Sequence, residues 1–420
     1  MGAAPQCLGL PPFEWGADCK VFCQFRQSGI AVGALNLCLN ESAALWCRPA
    51  LFYPPRVTSS FPTLATAVVQ WQASHGRNHL PWQQTRDPYR VWLSEIMLQQ
   101  TQVTTVLGYY ERFLQRFPDV VSLAAAHQDE VLALWSGLGY YSRARNLHKC
   151  AQAVVRDFGG QFPRTALQLA TLPGIGRSTA AAISGFCFGE RAAILDANVK
   201  RVLTRALAFG DDLSVAKNEK TLWALAEDLL PTDDLPVQMP RYTQGLMDLG
   251  ATVCLPRNPN CLICPLQTRC HAAAQGNPQD YPVKTRKTKR STQAWWLLVL
   301  RDAAGHTWLQ RRPSTGIWAG LYAPPAWEGA VDGLNAAVAS LGMAVQARQD
   351  LPAVLHVLTH RDLFLHPVVV QLAGDQPAVA CDVAGNVAAD GATAGAWFSP
   401  DAWPGLGLPA PVRRLLESLE

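Results

Sequence analysis

The sequence predicts a multi-domain chain in which an all-α domain precedes an α+β domain. Three observations carry this reading. Apolar residues recur at helical spacing from about residue 61 to 230, strand-like runs are scarce before 290, and a polar segment at 277–293 separates the two regimes. A chain of 420 residues usually divides into two or three domains, and 49% hydrophobic residues suffice for packed cores, which excludes wholesale disorder. The longest strongly apolar run, 27–40, has 14 residues and contains Gly, Ser and Asn. A spanning helix needs about 20 apolar residues, so no membrane partner is expected. The first basic residue is Lys20 and no cationic region precedes an apolar stretch, so the start does not read as secretory. The net charge of +4 is too small to argue for nucleic acid by itself.

Residues 1–60 carry five of the twelve cysteines, at 7, 19, 23, 38 and 47, among Pro11, Pro12, Pro49, Pro54 and Pro55, with little periodicity. They are read as a doubtful, poorly ordered leader, with the working start near Val57 or Phe61. Disulfides are not expected there, because the remainder looks cytosolic, where thiols stay reduced. From residue 61 the pattern becomes amphipathic helix, with Ala67, Val68 and Trp71, then Val91, Trp92, Ile96, Val103 and Val106 at helical intervals. Further helices are expected at about 118–135, 143–157, 165–172, 177–187, 196–209 and 218–230. The segment 277–293, NPQDYPVKTRKTKRSTQ, holds five basic residues and one acid, a surplus equal to that of the whole chain, and reads as a linker. Strands are expected at 294–301 and 306–310 about a turn at 302–305, with two more within 353–370.

Cys254, Cys261, Cys264 and Cys270 follow the spacing C-x6-C-x2-C-x5-C within 17 residues. Four thiolates in so short a loop suit a metal, either tetrahedral zinc or an iron–sulfur cluster, and the spacing alone leaves both open. Pro256, Pro259 and Pro265 keep the segment out of regular helix, as a ligand loop requires.

Leu172-Pro173-Gly174-Ile175-Gly176-Arg177-Ser178-Thr179-Ala180 sets a glycine-rich turn between two helical patterns. Such a turn can present backbone N–H groups to a phosphate. The same glycines also suit an ordinary helix-turn-helix connection. Glu95 is the lone acid in an otherwise uncharged stretch with Trp92, Leu93, Ile96 and Met97. That setting raises a carboxyl pKa and makes a proton donor available. Asp196 follows an apolar run and precedes a helical one, the position of an N-cap.

Together and in this order, these pieces resemble the helix-hairpin-helix DNA glycosylases that carry an iron–sulfur cluster, and specifically their adenine-cleaving MutY branch. The motifs are LPWQ at 80–83, DPYRVWLSEIMLQQTQV at 87–103, LWSGLGYYSRARNLH at 134–148, LPGIGRSTA at 172–180, ILDANVKRVLTR at 194–205, MDLGATVC at 247–254 and the four cysteines. The resemblance runs from about 64 to 275 and more weakly to the end. It implies a helix-hairpin-helix glycosylase domain at 61–276 with a [4Fe–4S] loop at 254–270, a basic linker at 277–293 and a Nudix-like domain at 294–420. The cysteine spacing matches the family's cluster, which favours iron over zinc.

The resemblance further implies that Glu95 is the catalytic acid, protonating N7 of a flipped adenine and then assisting water. Asp196 stabilises the oxocarbenium-like sugar, with Asn198 and Ser178 in support. Two carboxylates with different protonation states suit glycosidic cleavage. Trp82 and Gln244 are expected around the adenine, although Trp82 and Tyr140 also suit plain core packing. Gln100 and Tyr140 are expected around the gap left by the flipped base, and Gln99, Gly174, Gly176 and Lys200 against the substrate or the DNA. In the bifunctional branch, the residue after Gly-x-Gly-Arg is a Schiff-base lysine; here it is Ser178, which cannot serve as that amine. A monofunctional enzyme is expected, with Lys200 the nearest candidate for any incidental Schiff base.

LQRRPSTGIWAGL at 309–321 resembles a Nudix-type domain, but 328–346 holds one Glu and one Asp, too few to bind metal around a pyrophosphate. The resemblance implies that this domain reads 8-oxoguanine instead. The family's Phe-Ser-His turn is replaced by Leu358, Thr359 and His360, which keeps the hydroxyl and the ring but gives up the aromatic. The expected partner is duplex DNA with an adenine:8-oxoguanine or adenine:guanine mispair, bound by a monomer in the bacterial cytoplasm at the nucleoid. A bifunctional lyase acting on oxidised pyrimidines and a non-catalytic DNA-binding scaffold are the competing readings.

Overall fold

The computed structural model describes residues 63–286, 289–329, 331–340, 344–375 and 395–420. The expected leader at 1–60, its five cysteines and Cys381 lie outside these residues.

Helices begin where a short polar side chain accepts a free N–H. Thr63 caps α1 (Leu64–His75), and Asp87, followed by Pro88, caps α2 (Pro88–Leu98). α3 (Val103–Arg116) follows a break, and α4 (Val120–Ala125) opens with a capping box between Asp119 and Ser122. α5 (Gln128–Leu134), α6 (Ser142–Phe158), the single turn α7 (Ala166–Leu169) and α8 (Arg177–Phe188) come next. α9 (Ala197–Leu207) is capped by Asp196, and α10 (Ala216–Asp228), α11 (Leu235–Thr252) and α12 (His271–Ala274) complete this half.

Four helical expectations need correction. The stretch 118–135 is two helices, because Ala126 is extended and the His127 ring accepts from Asp129 N to start α5. The stretch 165–172 is one turn, stopped ahead of the Pro173–Gly174 turn. The apolar series from Val91 to Val106 is interrupted at 99–102, where Gln100 takes φ 60°. Helix α11 lies beyond the last of the expected helices, which ended at 230. Pro236 falls in the first turn, where its missing N–H costs nothing, and Pro240 is accommodated in a buried position.

The second half is a mixed eight-stranded sheet with β1 (Ser291–Arg301), β2 (Thr307–Arg311), β3 (Tyr322–Ala323), β4 (Ala326–Glu328), β5 (Val345–Asp350), β6 (Val354–Val357), β7 (Arg361–Leu372) and β8 (Gly395–Phe398). α13 (Asp332–Ser340) and α14 (Ala410–Glu417) accompany it. The hairpin about 302–305 and the two strands within 353–370 form as expected, and β1 and β7 pair in parallel from Ser291↔Arg361 to Arg301↔Gln371.

One core runs from Trp92, Phe113, Trp135 and Leu147 of the helical half into Leu321, Phe398, Leu406 and Leu408 of the sheet half. Polar ties cross the same seam. Arg311 pairs with buried Asp129 at 2.5 Å, Arg145 donates to Ala319 O at 2.6 Å, and Ser136 and Tyr141 donate to Leu408 O at 3.0 and 3.1 Å. At Gly407 a Cβ would lie 2.5 Å from Leu132 Cβ, so only glycine permits this approach. A second core joins α1, α8, α9 and α11 through Val68, Val199, Leu203, Tyr242 and Leu249. The linker is tied at both ends: Leu213 N donates to Val283 O, Thr285 bonds Asp212, and Arg290 pairs with Asp362. Among the described residues no helix is long and apolar enough to cross a membrane.

Candidate active site

The ends of four helices meet at a cleft of about 810 Å³. The last turn of α2 brings Glu95, the break after it brings Gln99 and Gln100, the first turn of α8 brings Ser178, and the start of α9 brings Asp196 and Asn198. Gln244 of α11 and Trp82 close the cleft. Glu95, Trp82 and Gln244 also border a smaller pocket of about 190 Å³ whose lining includes Gln83 and Asn78.

The two carboxyls differ in their surroundings. Glu95 is half-buried on an apolar helix, and burial together with the nearby charge of Asp196 pushes its pKa up to about 8. Burial also raises Asp196, but the N–H groups of Val199 and Asn198 and the charges of Arg201 and Lys200 oppose this. Asp196 Oδ1 accepts from Val199 N at 2.7 Å, so the N-cap and the cleft carboxylate are the same group. Of the pair, Glu95 is the one that keeps its proton near neutral pH, and Asp196 is the one surrounded by groups that favour its charge.

The supporting side chains are held by specific bonds. Ser178 Oγ accepts from Leu195 N at 3.0 Å, fixing the backbone that leads into Asp196. Asn198 Oδ1 accepts from Arg201 Nη2 at 2.8 Å. Gln244 Nε2 donates to fully buried Asp248 at 2.9 Å, and Asp248 in turn accepts from Arg77 Nε at 2.7 Å. That bond leaves the amide oxygen of Gln244 as its remaining acceptor. Trp82 is buried and packs edge-on against Tyr110, so it is a core aromatic that also borders the cleft.

Beside the cleft lies a depression of about 270 Å³ bordered by Gln99, Gln100, Tyr140 and Gly174. Gly174 has φ 77°, and a Cβ there would lie 2.7 Å from Asn146 Cβ, so the hairpin glycine also packs tightly against α6. Gly176 is the N-cap residue of α8. Tyr140 is 43% exposed, and its hydroxyl bonds the hydroxyl of Thr359 across the seam. Thr359 and His360 are exposed in the β6–β7 turn, where Ser291 N donates to His360 O. Lys200 borders neither cavity and pairs with Glu219 at 2.6 Å.

Sequence reasoning missed several contributors. Gln83 carries an amide whose nitrogen and oxygen are both buried without a partner beside Glu95. Buried Arg143 braces the α2–α3 break. Arg201 joins Asn198 to the cysteine loop by donating to Cys254 O at 2.8 Å.

Cys254, Cys261, Cys264 and Cys270 border one pocket together with Arg205, and none of the four is in a disulfide. Arg205 Nη1 lies 3.3 Å from Cys254 Sγ and donates to Leu255 O, while Cys270 Sγ donates to Arg205 O at 3.3 Å. Among the described residues no three His, Cys, Asp or Glu side chains converge as the ligands of a single metal ion. Burial pushes the Cys264 thiol up to about 12 and raises the Cys270 thiol as well, so those two sulfurs favour the neutral form unless a cationic group is bound. Four thiols on one shared pocket are a donor set that suits a metal-containing group.

Residues 93–228 match the family model for the HhH-GPD superfamily base excision DNA repair protein, and residues 296–418 match that for the NUDIX domain. A helical bundle of that superfamily with a carboxyl pair at its cleft is a DNA N-glycosylase of base excision repair. The chain is 33% identical over 353 residues to an adenine DNA glycosylase of Buchnera aphidicola subsp. Acyrthosiphon pisum, across 84% of this chain and 96% of that protein. It therefore belongs to the adenine DNA glycosylase family. The human adenine DNA glycosylase is 43% identical over 215 residues, 49% of this chain and 38% of that one. A solved thermostable thymine-DNA glycosylase is 30% identical, with a TM-score of 0.44 over 50% of this chain and 95% of its own.

Proposed function

We propose that the protein hydrolytically removes adenine mispaired with 8-oxoguanine or guanine in duplex DNA, as a monomeric, monofunctional glycosylase of the cytoplasm and nucleoid. The observation that carries this is the carboxyl pair, with Glu95 at a pKa of about 8 across the cleft from N-capping Asp196.

Glu95 donates its proton to N7 of the extruded adenine, the C1′–N9 bond breaks with its electrons leaving on the base, and Asp196 stabilises the cationic sugar. The Glu95 carboxylate then takes a proton from the attacking water, which adds at C1′ and restores the acid. Asn198 and Ser178 hold the α9 entrance in register for this step. Gln244 accepts from the exocyclic amine through its amide oxygen, and the unpartnered amide of Gln83 matches the donor and acceptor of an adenine edge. Trp82 lies against the base. Gln100 and Tyr140 occupy the gap, Gln99 lies against the DNA, and the Gly174–Gly176 turn meets a phosphate. Lys200 stays paired with Glu219, which suits a monofunctional enzyme.

Cys254, Cys261, Cys264 and Cys270 would hold a [4Fe–4S] cluster, whose role there would be structural, keeping loop 254–270 closed beside α9. Thr359 and His360 of the 294–420 domain read the 8-oxoguanine, and 277–293 links it to the catalytic domain at 61–276. Single-turnover cleavage of an adenine:8-oxoguanine duplex tests the function; no adenine release, or efficient borohydride trapping on an oxidised-pyrimidine duplex, would overturn it. Brown colour with visible absorbance and measured iron tests the cluster against zinc.

A further inference from the structure

We propose that Arg143 is a positioning residue that fixes the spacing of the two gap-filling side chains, Gln100 and Tyr140. The proposal rests on the base-extrusion reading above and adds a residue to it.

Gln100 and Tyr140 come from different segments, the α2–α3 break and the loop before α6. Both are non-glycine residues at positive φ, 60° and 49°. Such a conformation persists only where the surroundings over-determine it. Arg143 supplies that constraint to both. Its Nη1 donates to Ile96 O and Met97 O at 2.9 and 2.8 Å. These carbonyls belong to the last turn of α2, where carbonyls have no partner within the helix. Its Nη2 donates to Leu138 O and Gly139 O, each at 3.2 Å, and to Thr101 Oγ1 at 3.1 Å. One planar fork therefore ends α2 just ahead of Gln100 and holds the backbone just ahead of Tyr140, while the guanidinium lies 5.5 Å from the Tyr140 ring centroid.

A lysine has the charge but not the fork, so it cannot serve both loops at once. Two probes that enter one gap need a fixed separation, and a misplacement of about 1 Å can cost roughly a hundredfold in rate.

The test uses a duplex with 2-aminopurine opposite 8-oxoguanine, whose fluorescence rises on extrusion, and single-turnover adenine release from the matching adenine duplex. Arg143→Lys is expected to lower both by tenfold or more, within the ~100-fold that misplacement can cost. Its affinity for a duplex already carrying an abasic-site analogue opposite 8-oxoguanine should stay within about twofold of wild type, the scatter expected of uncoupled sites. In a Gln100→Ala, Tyr140→Ala background, Arg143→Lys should add less than about twofold, because the probes it positions are gone. Wild-type extrusion by Arg143→Lys, or a full additional loss in the probe-less background, overturns the proposal. If Arg143→Lys does not fold, Thr101→Val removes one acceptor from the fork and is expected to reduce the fluorescence rise severalfold; an unchanged rise overturns the proposal equally. A wild-type protein that extrudes 2-aminopurine but releases no adenine would instead sink the proposed reaction and leave the Arg143 test standing.

Discussion

The helical half and the sheet half solve different problems with different parts. The helical half buries charged and polar groups in pairs, Asp248 with Arg77, Asp196 with the α9 N-terminus and Arg143 with five acceptors, and it brings its reactive groups to helix ends. The sheet half presents a turn in which Thr359 and His360 are exposed, on a hairpin whose outer side carries exposed Leu355, Val357 and Phe364. Catalysis needs perturbed pKa values, which burial supplies. Recognition needs an accessible edge, which a strand turn supplies. The contrast separates what each half should lose when altered.

Glu95→Gln should have the largest effect on the chemistry. It is expected to cut single-turnover adenine release by ~10²–10⁴-fold while duplex affinity persists, since a general acid is worth about that much. Loss of binding in parallel with cleavage would remove the distinction between the halves. The pH profile follows from the same residue. Wild-type release should decline above about pH 8 as Glu95 loses its proton. The folded chain keeps a proton to about pH 8 that an ordinary glutamate releases near 4.5, so stability falls as pH rises through that window. Glu95→Gln should therefore gain on the order of 1–3 kcal/mol over wild type by pH 8.5 and nothing at pH 4, as read by denaturant melts.

Gly407→Val should act on the seam between the halves. Its side chain would meet Leu132, and overpacking of this kind costs ~1–3 kcal/mol. The expected outcome is a lower melting temperature and a reduced preference for 8-oxoguanine over guanine, with residual cleavage of both. Thr359→Val should have the smallest effect, removing the hydroxyl that bonds Tyr140. A single such hydrogen bond is worth ~0.5–1.5 kcal/mol, read as a severalfold loss of 8-oxoguanine preference with guanine mispairs unaffected.

Much of the helical half was legible because the candidate site residues coincide with local chemistry. Asp196 carries the N-cap signature, and Glu95 stands out as a lone acid on an apolar face. The cysteine spacing pointed to a loop that brings its four thiols to one pocket. What escaped was non-local. The α2–α3 break contains no glycine or proline and depends on Arg143, some 40 positions away. Helix α11 lies beyond the stretch in which helical spacing was read, and it contains two prolines, one in its first turn and one buried within it. Nothing near Leu132 announces Gly407, because the contact joins residues far apart in the chain.

That seam also determines how the molecule comes apart. The halves share a hydrophobic core and buried polar ties, and the linker is bonded at each end, so the covalent connection is not what holds them together. A protease that nicks the chain between Lys284 and Arg290 should yield two fragments that still travel as one particle. Heating the nicked particle should melt both halves in a single transition.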